Sequence, residues 1–225
     1  GIPLIIVAGN HDNPRRLGFG ARLLSREKLF IAGPLDGFDT PIVLNDNFGS
    51  VSIFAVPYCE PADIRQSLGD ESIHDYQSAM KVLLQKTQKA VGGSGRSVLV
   101  SHLFAAGGSA SDSERPLSLG GIDTVPPELF SDFTYTALGH LHRAQNVGGE
   151  RIRYSGSIFP YSFSEVAAGK SIDMVIMDGD GGIEIRVIPL SSRRRVRCVE
   201  GFFDDLLKGP SKGESKDDYI MVTLK

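Results

Sequence analysis

Three short motifs hold most of the residues in this chain that could do chemistry. They are GNHD (Gly9–Asp12), SH (Ser101–His102) and GHLH (Gly139–His142), and they contain four of the five histidines. Their imidazole nitrogens and the amide oxygen of Asn10 form a mixed nitrogen and oxygen donor set without a thiolate. Such a set suits Mn²⁺, Fe or Zn²⁺ better than a structural zinc cage. The motifs therefore predict metal-dependent chemistry at a shared site.

The spacing within the motifs leaves several roles open. In an extended segment His140 and His142 point to the same side, where they could bind one metal ion or two adjacent ions. His11 could instead face the substrate, where it would stabilise charge on a phosphoryl oxygen or protonate a leaving alkoxide. Asp12 would then fix the tautomer of His11, or it makes a plain contact at the N-terminus of a helix. His74 has no such context and is interpreted as a surface residue.

Each of the three motifs comes at the end of an apolar run that is typical of a buried strand. The runs are PLIIVA (Pro3–Ala8), SVLVSH (Ser97–His102) and YTALGHLH (Tyr135–His142). In layered α/β folds, ligands and catalytic groups gather at the carboxyl ends of such strands. A single histidine after a strand is more often structural, but four of them at equivalent positions favour a common site.

Other elements can be predicted from capping residues and periodicity. The Asn-Pro pair at Asn13 predicts a helix that runs to about Leu24. Apolar residues at helical spacing predict a long amphipathic helix over Ser72–Val91, ended by GGSG at Gly92–Gly95. Ser171–Leu190 has the alternation and the glycine-rich turn of a β-hairpin.

Composition limits the class of protein and its compartment. Hydrophobic residues make up 41% and charged residues 23%, with a net charge of −3, which is typical of a globular protein without a globally basic surface. Cys59 and Cys198 form no CxxC motif, so a reducing cytoplasm is predicted. No apolar run approaches the roughly 20 residues of a membrane span. Because the character of the sequence changes after Leu190, we predict one domain at 1–190 and an incomplete second unit at 191–225.

The three motifs resemble, in order, the last three signatures of the calcineurin-like metallophosphoesterases. Two longer stretches, Ser111–Gln145 and Arg153–Glu165, resemble the SbcD-like nuclease subunits within that superfamily. The resemblance covers nearly all of Gly1–Leu190 and continues more weakly into the DNA-capping domain. It implies an α/β fold, a four-layer sandwich of two mixed β-sheets flanked by helices. Here that sandwich would be N-terminally truncated and followed by the start of a small α+β capping domain.

The resemblance also implies an activity and a site. Asn10, His102 and His140 would bind one Mn²⁺ ion. His142 would help to bind a second ion, and His11 would be the catalytic histidine. The implied reaction is DNA phosphodiester hydrolysis, as an exonuclease on duplex ends and an endonuclease on single strands and hairpins. Mg²⁺, Fe or Zn²⁺ are alternative ions. The implied partners are DNA, an SbcC-like ATPase and a second copy of the subunit, in DNA repair, recombination and replication.

The sequence departs from the family pattern at its start. That pattern begins with Asp-x-His and then Gly-Asp-x-x-Asp, which supply the remaining metal ligands. No histidine in this chain has an aspartate two positions before it, and both Gly-Asp pairs are followed three residues later by isoleucine, at Ile73 and Ile183. We therefore expect the missing ligands to precede Gly1 in a longer protein, and these 225 residues alone to be inactive or nearly so.

Weaker features have two interpretations each. Arg143, directly after GHLH, is predicted to lie near the path of the phosphate. Arg193, Arg194 and Arg195 either contact phosphate at the entry to the capping domain or form a charged, solvated linker. The glycine- and serine-rich loop that begins at Gly107 is either a mobile flap over the site or a long surface connection.

Two other functions are consistent with the motifs. The first is a metallophosphoesterase that acts on small phosphodiesters or phosphoproteins, because the three motifs do not choose a substrate. The second is a non-catalytic scaffold that keeps the fold and binds the SbcC-like ATPase, which the lack of the first two motifs favours.

Overall fold

The computed structural model describes residues 1–91, 95–114 and 124–225. Its helices are short except for one. The strands are β1 Leu4–Val7, β2 Leu29–Ala32, β3 Ile42–Asp46, β4 Gly49–Val56, β5 Arg96–His102, β6 Phe104–Ala105, β7 Thr124–Val125, β8 Tyr135–Gly139, β9 Gln145–Asn146, β10 Ile152–Tyr154, β11 Ser171–Met177, β12 Ile183–Pro189, β13 Val196–Gly201 and β14 Tyr219–Leu224. The helices are α1 Pro14–Leu17, α2 Ala21–Leu24, α3 Pro61–Leu68, α4 Tyr76–Val91 and α5 Phe203–Leu206.

The largest sheet has six strands in the order β3-β4-β5-β8-β10-β9. Its four inner strands are parallel, and an antiparallel strand closes each edge. Strands β5 and β8 carry buried residues on both faces, as expected of parallel strands that are covered on both sides. This mixed sheet with its helices confirms the predicted α/β class.

The exits of three strands lie at the same edge of this architecture. His102 ends β5 directly opposite Gly139, which ends β8, so His140 follows beside it. The segment after β1 reaches this edge as well, because the backbone N–H of Tyr58, just past β4, donates to the carbonyl of Ala8 at 2.9 Å. The strand-end arrangement predicted from the apolar runs is thereby confirmed.

The remaining strands pair two by two. Strands β1–β2 and β13–β14 are parallel pairs, β6–β7 is a short parallel pair, and β11–β12 is an antiparallel hairpin. The hairpin predicted over Ser171–Leu190 is confirmed. In the described residues no second large sheet faces the six-stranded one, so the four-layer sandwich stays a prediction.

The long amphipathic helix is confirmed as α4, but it begins at Tyr76 instead of Ser72. The reason is a capping box, in which Ser78 N–H donates to Asp75 Oδ1 at 2.7 Å and Asp75 N–H donates to the Ser78 hydroxyl at 3.1 Å. The predicted stop at residues 92–94 lies outside the described residues. The buried face of α4 packs into the core through Tyr76, Ala79, Met80, Leu83, Leu84 and Thr87.

The predicted continuous helix from Asn13 to about Leu24 is wrong. Asn13 does cap α1, since Arg16 N–H donates to its side-chain oxygen at 3.0 Å. The helix then ends at Leu17, and α2 starts only after Gly20, whose φ is +78°. Because a left-handed residue cannot continue a right-handed helix, two single turns replace the long helix.

The chain beyond β12 forms a small group of elements, β13, α5 and β14. The predicted domain boundary near Ser191 falls between Pro189, which ends β12, and Val196, which begins β13, and it stays a prediction. Within the described ranges, none of the helices has the length and apolar character to cross a bilayer.

Candidate metal centre

Asn10 and His102 make direct contact across the exits of β1 and β5. The side-chain oxygen of Asn10 lies 2.9 Å from Nε2 of His102. Gly9 makes this approach possible, because a Cβ at this position would lie 2.8 Å from Cε1 of His102. A side chain on residue 9 would therefore displace the imidazole, which gives the GNHD glycine a packing reason.

His140 completes the centre of the cluster in a strained conformation. Its ring centroid lies 5.4 Å from that of His102 and 5.8 Å from that of Phe104. Its φ is +109°, a region that residues with a Cβ rarely adopt. Such strain costs about 1–3 kcal/mol and is found where the surrounding structure imposes it, commonly at functional sites.

The buried imidazoles at the centre are held in their neutral form. Burial lowers the pKa of His102 to about 4, and His140 adds to the effect. Burial likewise lowers the pKa of His140 to about 4, against the opposing charge of Glu114. His11 and His142 also lower both pKa values, so all four motif histidines lie within electrostatic range of one another. Neutral imidazoles keep the lone pair that binds a metal.

The metal-free protein is expected to lose stability as the pH falls from about 6.5 towards 4. In the unfolded chain these histidines bind protons near their ordinary pKa of 6.5, whereas in the folded protein His102 and His140 bind them only near about 4. Between those values the unfolded state holds more protons, so the free energy of unfolding rises with pH. Urea unfolding at a series of pH values measures the slope. His102→Gln should flatten it and the matched change His74→Gln should not; equal slopes in both variants would contradict the assignment.

His142 is held by a polar network that contains two glutamates. Its Nδ1 lies 2.7 Å from the Ser113 hydroxyl and 3.1 Å from Glu165 Oε1. Its backbone N–H donates to Glu114 Oε1 at 2.7 Å. Lys170 Nζ donates to Glu165 Oε2 at 2.6 Å and to the carbonyl of His142 at 2.9 Å. Both the ring and the backbone of His142 are thus fixed.

The charge state of Glu165 follows from these partners. Burial would raise its pKa, since only 3% of the side chain is exposed, but hydrogen bonds from Lys170, Ser113 and His142 outweigh burial and lower the pKa to about 2. Glu165 is therefore a carboxylate at all physiological pH values. The loop that begins at Gly107 is part of the same network as far as Glu114, because Ser111, Ser113 and Glu114 make hydrogen bonds within it.

His11 and Asp12 occupy the turn next to Asn10. His11 is exposed, while Asp12 closes the turn by accepting a hydrogen bond from Gly9 N–H at 2.8 Å. Among the described residues no hydrogen bond joins Asp12 to His11. The structure thus has the plain turn contact, and both the catalytic role of His11 and the orienting role of Asp12 stay predictions.

Comparison with known proteins adds a relative that spans nearly the whole chain. No protein-family model matches the sequence. The chain is 32% identical, over 223 residues and 99% of its length, to the SbcD subunit of the nuclease SbcCD from Staphylococcus epidermidis. The chain is thus SbcD-like in sequence over nearly its whole length. It spans 59% of the length of that relative. The resemblance drawn from the three motifs is thereby confirmed.

The site of the SbcD-like chain fits a metal ion in donor type but not in number of donors. Adjacent ligands of an octahedral ion with bonds near 2.1 Å lie about 3 Å apart, close to the 2.9 Å between Asn10 Oδ1 and His102 Nε2. In the described part of the chain, however, no three His, Cys, Asp or Glu side chains converge closely enough to hold an ion. These residues alone are therefore too few to hold an ion, and a metal centre here, which would need further ligands, carboxylates above all, stays a prediction.

The predicted arginines of the SbcD-like chain lie in different surroundings. Arg143 is exposed directly after His142. Arg193, Arg194 and Arg195 are also exposed, and Arg195 lies 3.6 Å from the carboxylate of Asp218. Arg195 thus contacts the small C-terminal group of elements. Contact with phosphate stays a prediction for all four arginines.

Proposed function

We propose that the full-length protein that contains this chain hydrolyses DNA phosphodiester bonds as the nuclease subunit of an SbcCD-type complex. The proposal rests on one observation above all. Asn10, His102 and His140 meet at one sheet edge in a chain that is 32% identical to a nuclease subunit. DNA repair, recombination and replication in the cytoplasm are the corresponding processes.

Two Mn²⁺ ions are the proposed cofactors, with Mg²⁺, Fe or Zn²⁺ as alternatives. Asn10, His102 and His140 would hold one ion, and His142 would contribute to the other. When bound, such a pair of ions supplies Lewis-acid polarisation of the phosphate and a water of lowered pKa. His11, exposed beside Asn10, would hold a proton at its imidazole for the leaving oxygen.

The finer features of the family form part of the same proposal. Strand pairs β1–β2 and β11–β12 would belong to the second sheet of a four-layer sandwich, and residues 191–225 to the DNA-capping domain. The partners would be DNA, an SbcC-like ATPase and a second copy of the subunit. The substrates would be duplex ends for the exonuclease activity, and single strands and hairpins for the endonuclease activity.

The test compares the full-length gene product with the isolated 225-residue chain. We expect the full-length protein to cleave DNA with Mn²⁺, and the isolated chain to be inactive or nearly so, because its sequence lacks the Asp-x-His and Gly-Asp-x-x-Asp ligands. The measurement is the release of nucleotides from an end-labelled duplex and the cutting of a hairpin. Cleavage by the isolated chain that His140→Ala abolishes would contradict the incomplete site. A full-length protein that binds the ATPase but never cleaves DNA would favour the scaffold.

A further inference from the structure

The carboxylate of Glu165 lies inside the molecule beside His142, although it is 23 residues away along the chain. Its side chain is 3% exposed and that of its cation partner Lys170 is 8% exposed. An ion pair with so little contact with water is costly to build unless further hydrogen bonds satisfy it. Here both oxygens are used: Oε1 faces Ser113 and His142, and Oε2 faces Lys170.

The hydrogens in this network can be assigned by counting donors and acceptors. An ionised carboxylate only accepts, and a serine hydroxyl has one hydrogen to donate. Ser113 makes its shortest contact with Glu165 Oε1, so its hydrogen points at that carboxylate. The hydroxyl of Ser111 likewise donates its hydrogen to a carboxylate, Oε2 of Glu114, at 2.5 Å. Neither serine has a hydrogen left for His142.

The nitrogen Nδ1 of His142 must therefore be the donor. At 2.7 Å from the Ser113 oxygen and 3.1 Å from Glu165 Oε1, it faces two groups that can only accept from it. In a neutral imidazole the other nitrogen, Nε2, then carries the free lone pair. The backbone of His142 is fixed as well, by Glu114 on its N–H and by Lys170 on its carbonyl.

We propose that Glu165, assisted by Ser113, is a positioning residue that keeps His142 in the tautomer with hydrogen on Nδ1 and the lone pair on Nε2. Only this tautomer can offer Nε2 to a metal ion. The tautomer itself follows from the contacts alone, and only its use for metal binding rests on the proposed function. Carboxylates that accept from the second nitrogen of a metal-binding histidine commonly change metal affinity by about 10–100-fold.

The experiment is nitrogen NMR of the metal-free full-length gene product labelled with ¹⁵N-histidine, with His142→Gln to assign the signals. At neutral pH the wild type should show a protonated, pyrrole-like Nδ1 and an unprotonated, pyridine-like Nε2 for His142. Glu165→Gln puts an amide donor beside Ser113, which frees the serine hydrogen for Nδ1. We expect this variant to gain the opposite tautomer and to bind Mn²⁺ about 10–100-fold more weakly by calorimetry. Ser113→Ala should keep the wild-type tautomer, because Glu165 still faces Nδ1.

Glu150→Gln is the matched control, since Glu150 is exposed in the turn between β9 and β10. It should change neither the tautomer nor the affinity. A wild-type His142 that carries its hydrogen on Nε2 would overturn the proposal even if no variant folds. A folded Glu165→Gln with an unchanged tautomer would overturn it too, and would leave Glu165 a purely structural role. If the proposed nuclease function is wrong, the protein would show the expected tautomer of His142 but would not cleave DNA.

Discussion

Replacing His140 with alanine in the full-length gene product should lower Mn²⁺-dependent DNA hydrolysis by about 100-fold or more. His140 is 9% exposed, and its ring lies 5.4 Å from that of His102, which contacts Asn10. Without the imidazole of His140 the proposed Mn²⁺ ion would lose one ligand, and a water molecule would be a weaker replacement. The measurement is the initial rate of cleavage of a labelled duplex at saturating Mn²⁺.

His74→Ala is the control for this substitution, because His74 is exposed at the start of α4 and outside the cluster. It should keep nearly full activity. Since alanine also relieves little of the strain at residue 140, the free energy of unfolding of both variants should be measured alongside the rates. A folded His140→Ala variant that cleaves DNA within a few-fold of the wild-type rate would show that the cluster is not the active centre.

Lys170→Met is expected to lower the free energy of unfolding by about 3–5 kcal/mol. The side chain of Lys170 is 8% exposed, and its Nζ donates to Glu165, to the Ser157 hydroxyl at 2.8 Å and to the carbonyl of His142. Methionine keeps the apolar length of the side chain but leaves the Glu165 carboxylate buried without its cation. The pKa of Glu165 should then rise from about 2, and urea unfolding gives the free energy.

The matched substitution is Arg186→Met, which breaks the exposed pair with Glu184. Their side chains are 56% and 58% exposed, so the cost should stay below about 1 kcal/mol. Equal losses in the two variants would contradict the view that the ion pair beside His142 is a buried, structure-determining contact.

The sequence alone predicts the strand exits and the histidine cluster well, for a local reason. Runs such as Ser97–His102 and Tyr135–His142 combine continuous apolar character with a polar end, and that pattern is fixed by burial of the strand itself. The helix after Asn13 shows the limit of local signals. A good N-cap indicates where a helix starts, but α1 ends at Leu17, and Gly20 in the left-handed region separates it from α2.

The network around His142 could not be predicted in the same way. Ser113 and Glu114 are neighbours in sequence, but Ser113 lies 52 residues before Glu165, which lies 5 residues before Lys170. These side chains meet only in the folded protein. Their residue types are common in surface loops, so nothing local marks them as buried. The one available signal was the unusual run of serines and acids at Ser111–Glu114, which lies 25 residues before GHLH.

Anomalous diffraction from crystals of the full-length gene product soaked in Mn²⁺ tests the central claim most directly. We predict a manganese peak within about 2.3 Å of Asn10 Oδ1, His102 Nε2 and an imidazole nitrogen of His140, with a second peak at Nε2 of His142. Binding elsewhere on the surface, with these side chains free of metal at saturating Mn²⁺, would contradict the assignment of this sheet edge as the metal centre.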